Sequence, residues 1–79
     1  MFEYLVCNVQ QGRVTFVNGV WHGSVPLSEA SGQSDPFQFC QQVWDYLQRA
    51  GADGWELVAA TTHERTDASY DVIYLRRES

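Results

Sequence analysis

Two glycines three residues apart separate a stretch of helical period from a stretch of strand period in the second half of this chain. In Gly51-Ala52-Asp53-Gly54-Trp55-Glu56-Leu57-Val58 the glycines end a helix and turn the chain, and Trp55 opens an apolar strand. Glycine takes the left-handed conformation of a helix terminus at least cost, so Gly51 is the expected terminating residue. A helix passing so directly into a strand points to an α+β domain.

The helix before this junction is expected to start at Asp35-Pro36. Asp35 can accept from the free N–H groups, Pro36 suits the first helical position, and Gln38 completes a capping-box spacing. Phe37, Cys40, Val43, Trp44, Leu47 and Ala50 then recur at helical spacing as one apolar stripe, broadened by Phe39 and Tyr46. Gln41, Gln42, Asp45, Gln48 and Arg49 face away. Fifteen residues or so would make a rod of roughly 22 Å, long enough to cross three or four strands.

Strand signals flank the helix on both sides. Phe2 to Val9 is nearly continuous apolar sequence broken by Glu3 and Asn8, which suits a strand with both faces partly covered. Gln10-Gln11-Gly12 is a turn. Arg13 to Val17 and Val20 to His22 are then joined by Asn18-Gly19, whose residues tolerate the two positive φ angles of a tight hairpin. Gly23 to Ser34 has Pro26, Gly32 and four serines and reads as an exposed connecting loop. Trp55 to Thr62 and Tyr70 to Arg77 are the last two strands, separated by a polar connection from His63 to Ser69. The expected fold is one α+β domain over residues 1–79: a small antiparallel sheet of four to five strands with one helix packed on one face, in the order β, β-hairpin, α, β, β.

One helix covers one face of a sheet, yet both faces of the last two strands carry apolar side chains. Val58, Ala60, Val72 and Tyr74, or their neighbours of opposite parity, are expected to lie away from the helix. The Asn18-Gly19 hairpin, a second copy or a ligand must then cover them. The chain also has little stability to spare, because 79 residues bury only about 60% of their unfolded surface. Its composition is nonetheless that of a folded protein, with 44% hydrophobic residues, three Trp, four Tyr and four Phe.

Charge and motifs narrow the function classes. A net charge of −5 disfavours phosphate backbones, so nucleic acid is not an expected partner. No apolar run approaches the ~20 residues of a membrane span, and the N-terminus has neither a basic region nor a cleavage site. Cys7 and Cys40 fall in regular elements and read as free, buried thiols, which favours a cytoplasmic location. His22, His63, Cys7 and Cys40 lack the short spacings of a zinc site, and no metal or other cofactor is expected. Gly51 and Gly54 follow a helix, whereas phosphate-binding glycines precede one. Glu64 and Asp67 lie in the polar connection, which would not hold a catalytic geometry, and Cys40 in an apolar stripe would be inert.

The junction resembles a widespread small bacterial family of unknown function. Its members join a short helix to a strand through a Gly-Ala-Glu-Gly-Trp-Glu-Leu-Val-like segment and close on an apolar strand ending in Lys-Arg or Arg-Arg. The matching residues are Leu47, Gly51, Ala52, Gly54, Trp55, Glu56, Leu57 and Val58, then Tyr74, Leu75, Arg76 and Arg77. Phe2-Glu3-Tyr4-Leu5-Val6 is similar to that family's aromatic-rich first strand, and Asp53 stands where Glu is more usual. The resemblance covers about half the chain. It implies the small α+β fold and brings no activity and no catalytic residues.

The expected function is therefore a non-enzymatic interaction module. It would form a homodimer or dock as an accessory subunit on a larger cytoplasmic assembly. The candidate binding residues are Trp21, His22, Val58, Ala60, Val72 and Tyr74, with no catalytic or metal residues. Trp21, at the end of a hairpin arm, is the tryptophan most suited to a binding hot spot, whereas Trp44 and Trp55 are expected in the core. The competing reading is a small-molecule pocket under the Asn18-Gly19 hairpin, lined by Trp21, His22 and the His63 to Asp67 connection. Arg76 is positioned to pair with Glu56.

Overall fold

Five antiparallel strands form one sheet: β1 (Phe2–Gln10), β2 (Arg13–Val17), β3 (Val20–Trp21), β4 (Glu56–Glu64) and β5 (Ser69–Glu78). Their order across the sheet is β3-β2-β1-β5-β4 in the computed structural model, which describes residues 1–66 and 68–79. Between β3 and β4 run a single-turn helix α1 (Leu27–Ala30), a 3₁₀ turn at Pro36–Phe39 and the main helix α2 (Val43–Ala52). The architecture is the α+β sheet-and-helix expected from the sequence.

Two tight turns set the register of the first three strands. Asn18 and Gly19 take φ of 50° and 81°, and Val17 pairs with Val20 across them. Gln11 and Gly12 repeat the device at 53° and 74°, pairing Gln10 with Arg13. Both positive angles belong to the turn whose twist matches that of the flanking strands. Asn18 is also tied to β1: Val6 N donates to its Oδ1 at 2.8 Å and its own N donates to Val6 O at 2.8 Å. The hairpin therefore extends the sheet sideways instead of folding back over it.

The helix departs from the sequence expectation at both ends. Asp35 does cap, accepting from Phe37 N at 3.2 Å, but it caps the 3₁₀ turn. Cys40 and Gln42 are then extended, with ψ of 149° and 144°. The cause is competition for backbone hydrogen bonds. Val14 N donates to Gln41 O and Val43 N to Gly12 O, both at 2.9 Å, while Arg13 donates to Cys40 O at 2.8 Å. These three residues serve β2 as a short partner strand, so α2 cannot begin before Val43.

At the other end Gly51 remains helical, and Gly54 is the left-handed residue, at φ 91°. Trp55 N donates to Ala50 O at 2.9 Å and Gly54 N to Gly51 O at 3.0 Å. That pair of bonds is the Schellman closure, with Gly54 at its left-handed position and Trp55 as the apolar residue that folds back. The terminator is thus set by where Trp55 must land, three residues later than Gly51.

The core lies between α2 and the sheet. Tyr46 and Ala50 of α2 meet Cys7, Val9, Val14, Ile73 and Leu75, with Leu5, Val17, Val43, Leu47 and Trp55 packed around them. Val43, Tyr46, Leu47 and Ala50 are one helical face, so Trp44 falls about 100° away from Val43 and is 58% exposed. The expectation of a core Trp44 phased the stripe from Phe37 and Cys40, which are not in this helix. The Gly23 to Ser34 segment is likewise more than an exposed loop. It holds α1, and Ala30 is completely buried.

Candidate interaction surface

Residues opposite one another on neighbouring strands project to the same face. Leu5, Cys7, Ile73 and Leu75 face α2, so their alternates Phe2, Tyr4, Val6, Val72, Tyr74 and Arg76 face away from it. Phe16, opposite Asn8, and Trp21, opposite Phe16, continue this second face onto β2 and β3. Among the described residues no helix or loop is laid across its centre: Phe2, Tyr4 and Val6 are 44%, 58% and 37% exposed. Val72 is buried on that face by its neighbours, which makes the surface well packed as well as apolar.

Aromatic rings and arginines give the face its character. Phe16 and Trp21 meet edge to face at 5.5 Å, and Trp21 Nε1 donates to Val25 O at 2.9 Å. Gly23 is needed beside this ring, since a Cβ there would lie 2.5 Å from Trp21 Nε1. At the other side of the sheet Arg76 sits 4.7 Å over the Phe2 ring and donates to Glu56 at 2.7 Å, the ion pair expected from the sequence. His63 stacks on Tyr70 at 5.1 Å, with its Nε2 3.0 Å from Thr61 Oγ1.

β4 requires a correction of register. A bulge lies between Leu57 and Ala59, leaving Val58 as the extra residue. Leu57 is opposite Leu75 and Ala60 opposite Ile73, so both belong to the helix side. Ala59 and Thr61, opposite Tyr74 and Val72, join the uncovered face. Of the four strand residues expected away from the helix, Val72 and Tyr74 are there and Ala60 is not; alternation across a bulge inverts the parity. Ala59, Tyr4 and Phe2 were missed. The bulge carries no sequence mark here, but the alternation of Phe2, Tyr4 and Val6 was available.

The residues of the competing pocket do not converge. Trp21 ends β3 and His22 follows it, and they point to opposite sides: Trp21 to Phe16, His22 to Tyr46 at 5.4 Å edge to face. The described part of the His63 to Asp67 connection meets Phe16 and Tyr70 through Arg65 instead. Asp67 lies outside the described residues. His22 does line a groove of about 690 Å³ between β3 and α2, with Gln41, Asp45 and Arg49.

The thiols of Cys7 and Cys40 are both free and buried, and burial pushes their pKa above the ordinary value. For Cys7 a hydrogen bond to Tyr46 Oη at 3.7 Å pulls back against that shift, and for Cys40 the Arg13 charge does. Among the described residues no cluster of His, Cys, Asp and Glu is arranged to hold a metal, and no helix is long and apolar enough to cross a membrane. No protein-family model, curated protein or solved structure matches this chain.

Proposed function

We propose that this domain is a non-enzymatic, cytoplasmic protein-interaction module that associates with a second copy of itself through the uncovered sheet face. One observation carries the reading: Phe2, Tyr4, Val6, Phe16 and Tyr74 share an aromatic and aliphatic face on which Phe2, Tyr4 and Val6 are exposed, and among the described residues no helix is laid across its centre. Soluble monomers rarely leave a contiguous apolar patch of more than a few hundred Å² in water. A two-fold axis lets such a patch cover itself, which is the simplest closure. Kinship with the small bacterial family of unknown function is part of the same proposal and rests on the Gly51 to Val58 junction.

Tyr4→Glu is the test. The side chain is more than half exposed, so the substitution leaves the core intact while placing a charge in the face. Size-exclusion chromatography with light scattering should show wild-type assembly at tens of micromolar and a smaller species for the variant. A wild-type monomer at that concentration, without any partner, overturns the reading. A second reading is favoured by the groove beside His22: Gln41 and Arg49 line it with that histidine as partners for a small carboxylate, against the opposing charge of Asp45. A thermal-shift screen with small carboxylates tests it, and no shift at saturating concentration removes it.

A further inference from the structure

We propose that the outer edge of β4, together with the Trp44 flank of α2, forms a second self-complementary contact, joining two copies edge to edge into one continuous ten-stranded sheet. The inference rests on the reading that the domain self-associates, and it names a surface that the open face does not include.

The two sheet edges are unlike. β3 is only two residues long, and its Trp21 is tied to Val25. β4 runs nine residues, every one of them exposed. Proteins that keep such an edge free protect it with lysine, proline, short strands or bulges. β4 has neither lysine nor proline, and Val58 to Thr62 is an uncharged run. Its one protective device, the bulge at Val58, sits near one end. The single charge at that end, Glu56, is already engaged by Arg76.

A second copy fits this edge by register and by shape. Consider a two-fold axis perpendicular to the sheet and passing between Ala60 and its counterpart. Ala59 then meets Thr61 of the second copy. With Val58 left out of register as it is against β5, Leu57 meets Thr62 and Glu56 meets His63. Small residues lie at the axis, where the backbones approach, and a carboxylate faces an imidazole ring at both ends. No pair of like charges faces across it. His63 is already oriented by Tyr70 and Thr61, so it loses little freedom on pairing.

The helix supplies the rest of the contact. Asp45, Gln48 and Arg49 line the groove on the β3 side of α2, which places Trp44 on the flank toward β4. There the ring is exposed, and the space over Gly51 is open. The axis puts both helices on one side of the joined sheet, each with its Trp44 flank turned toward the seam. It is also perpendicular to any two-fold axis that pairs the open faces, and with a face axis that crosses it the two contacts together close into a tetramer with D2 symmetry.

The experiment measures mass by light scattering for wild type, Tyr4→Glu, Ala60→Lys, Trp44→Lys and the Tyr4→Glu/Ala60→Lys double variant, with amide hydrogen exchange on each. Ala60→Lys sets two like charges opposite each other at the axis. Trp44→Lys reaches the same seam from a surface site that folding does not use. Wild type is expected as a tetramer, each single variant as a dimer and the double variant as a monomer. Exchange across β4 should speed at least tenfold in the seam variants while β1 and β5 stay protected. If Tyr4→Glu alone gives a folded monomer, or neither seam variant changes mass or β4 exchange, the edge contact is overturned and the face reading stands. If only the seam variants dissociate the protein, the face reading falls and the edge contact stands. A monomeric wild type overturns both.

Discussion

Gly51 and Gly54 have opposite backbone roles, and exchanging each for alanine separates them by a measurable amount. Gly51 is helical, and a Cβ built there meets nothing within 4 Å. Alanine at such a position gains the difference in helix propensity and restricts the unfolded chain, about 0.5–1 kcal/mol of stabilisation. Gly54 sits at φ 91°, where a side chain is strained, and its Cβ would press on Arg77 Cδ at 3.4 Å. Arg77 is itself placed, stacking 4.4 Å over Trp55 and bonding to Asp53 O and to Glu3, so it yields at some further cost. Gly54→Ala should therefore lose about 1–2 kcal/mol. The two variants lie roughly 2 kcal/mol apart, which for a domain of this size is on the order of 10 °C in Tm. Thermal and urea unfolding followed by circular dichroism read the difference. All samples need equal protein concentration, because association adds stability by mass action. A Gly51→Ala variant less stable than Gly54→Ala would refute the helix end described here.

Leu57 and Leu75 are opposite each other on β4 and β5, yet one is half exposed and the other 1% exposed. Leu75→Ala should cost about 2–5 kcal/mol and Leu57→Ala clearly less, about 1 kcal/mol, in urea titrations; equal losses would mean that β4 is covered. Alkali should weaken the fold through Cys7, Cys40 and Tyr46, all held protonated by burial above their ordinary values of 9.0, 9.0 and 10.0. The unfolded chain releases these protons at lower pH than the native one, so stability is complete below about pH 8 and falls as pH rises past 9. A urea midpoint unchanged between pH 8 and pH 10.5, or native thiols that react with a thiol reagent at pH 8 as fast as unfolded ones, would contradict this.

The parts of the fold legible in the sequence are those that a few adjacent residues decide. Asn18-Gly19 must turn as it does because its own φ angles allow it, and the Glu56–Arg76 pair follows from strand order alone. What escaped depends on a distant partner. Asp35-Pro36-Phe37-Gln38 carries a sound helix start, yet Cys40 to Gln42 is drawn out of the helix by the free edge groups of Val14 and Gly12. No local signal announces that competition. Trp44 was misplaced for the same reason, since a stripe phased across a broken helix points the wrong way. The uncovered face was foreseen in kind, from the excess of apolar residues over what one helix hides. Its β5 members Val72 and Tyr74 were, whereas its β4 members were not, because a bulge at Val58 resets the parity of that strand after Leu57.

The shortened helix and the unburied Trp44 have one physical origin. α2 has ten residues, about 15 Å of rod roughly 10 Å wide, laid on a sheet whose five strands at about 4.8 Å each span some 24 Å. A helix running uninterrupted from Pro36 would have been the fifteen-residue rod expected from the sequence. Giving Cys40 to Gln42 to β2 shortens it by two turns. Arg13 and Val14 gain partners. The unburied Trp44 is a consequence of that exchange of backbone hydrogen bonds, because the helix that begins at Val43 turns Val43, Tyr46, Leu47 and Ala50 to the sheet. A domain this small has little stability to lose. Pairing of two β4 strands, as proposed above, would give the exposed edge groups of that strand partners in a second copy.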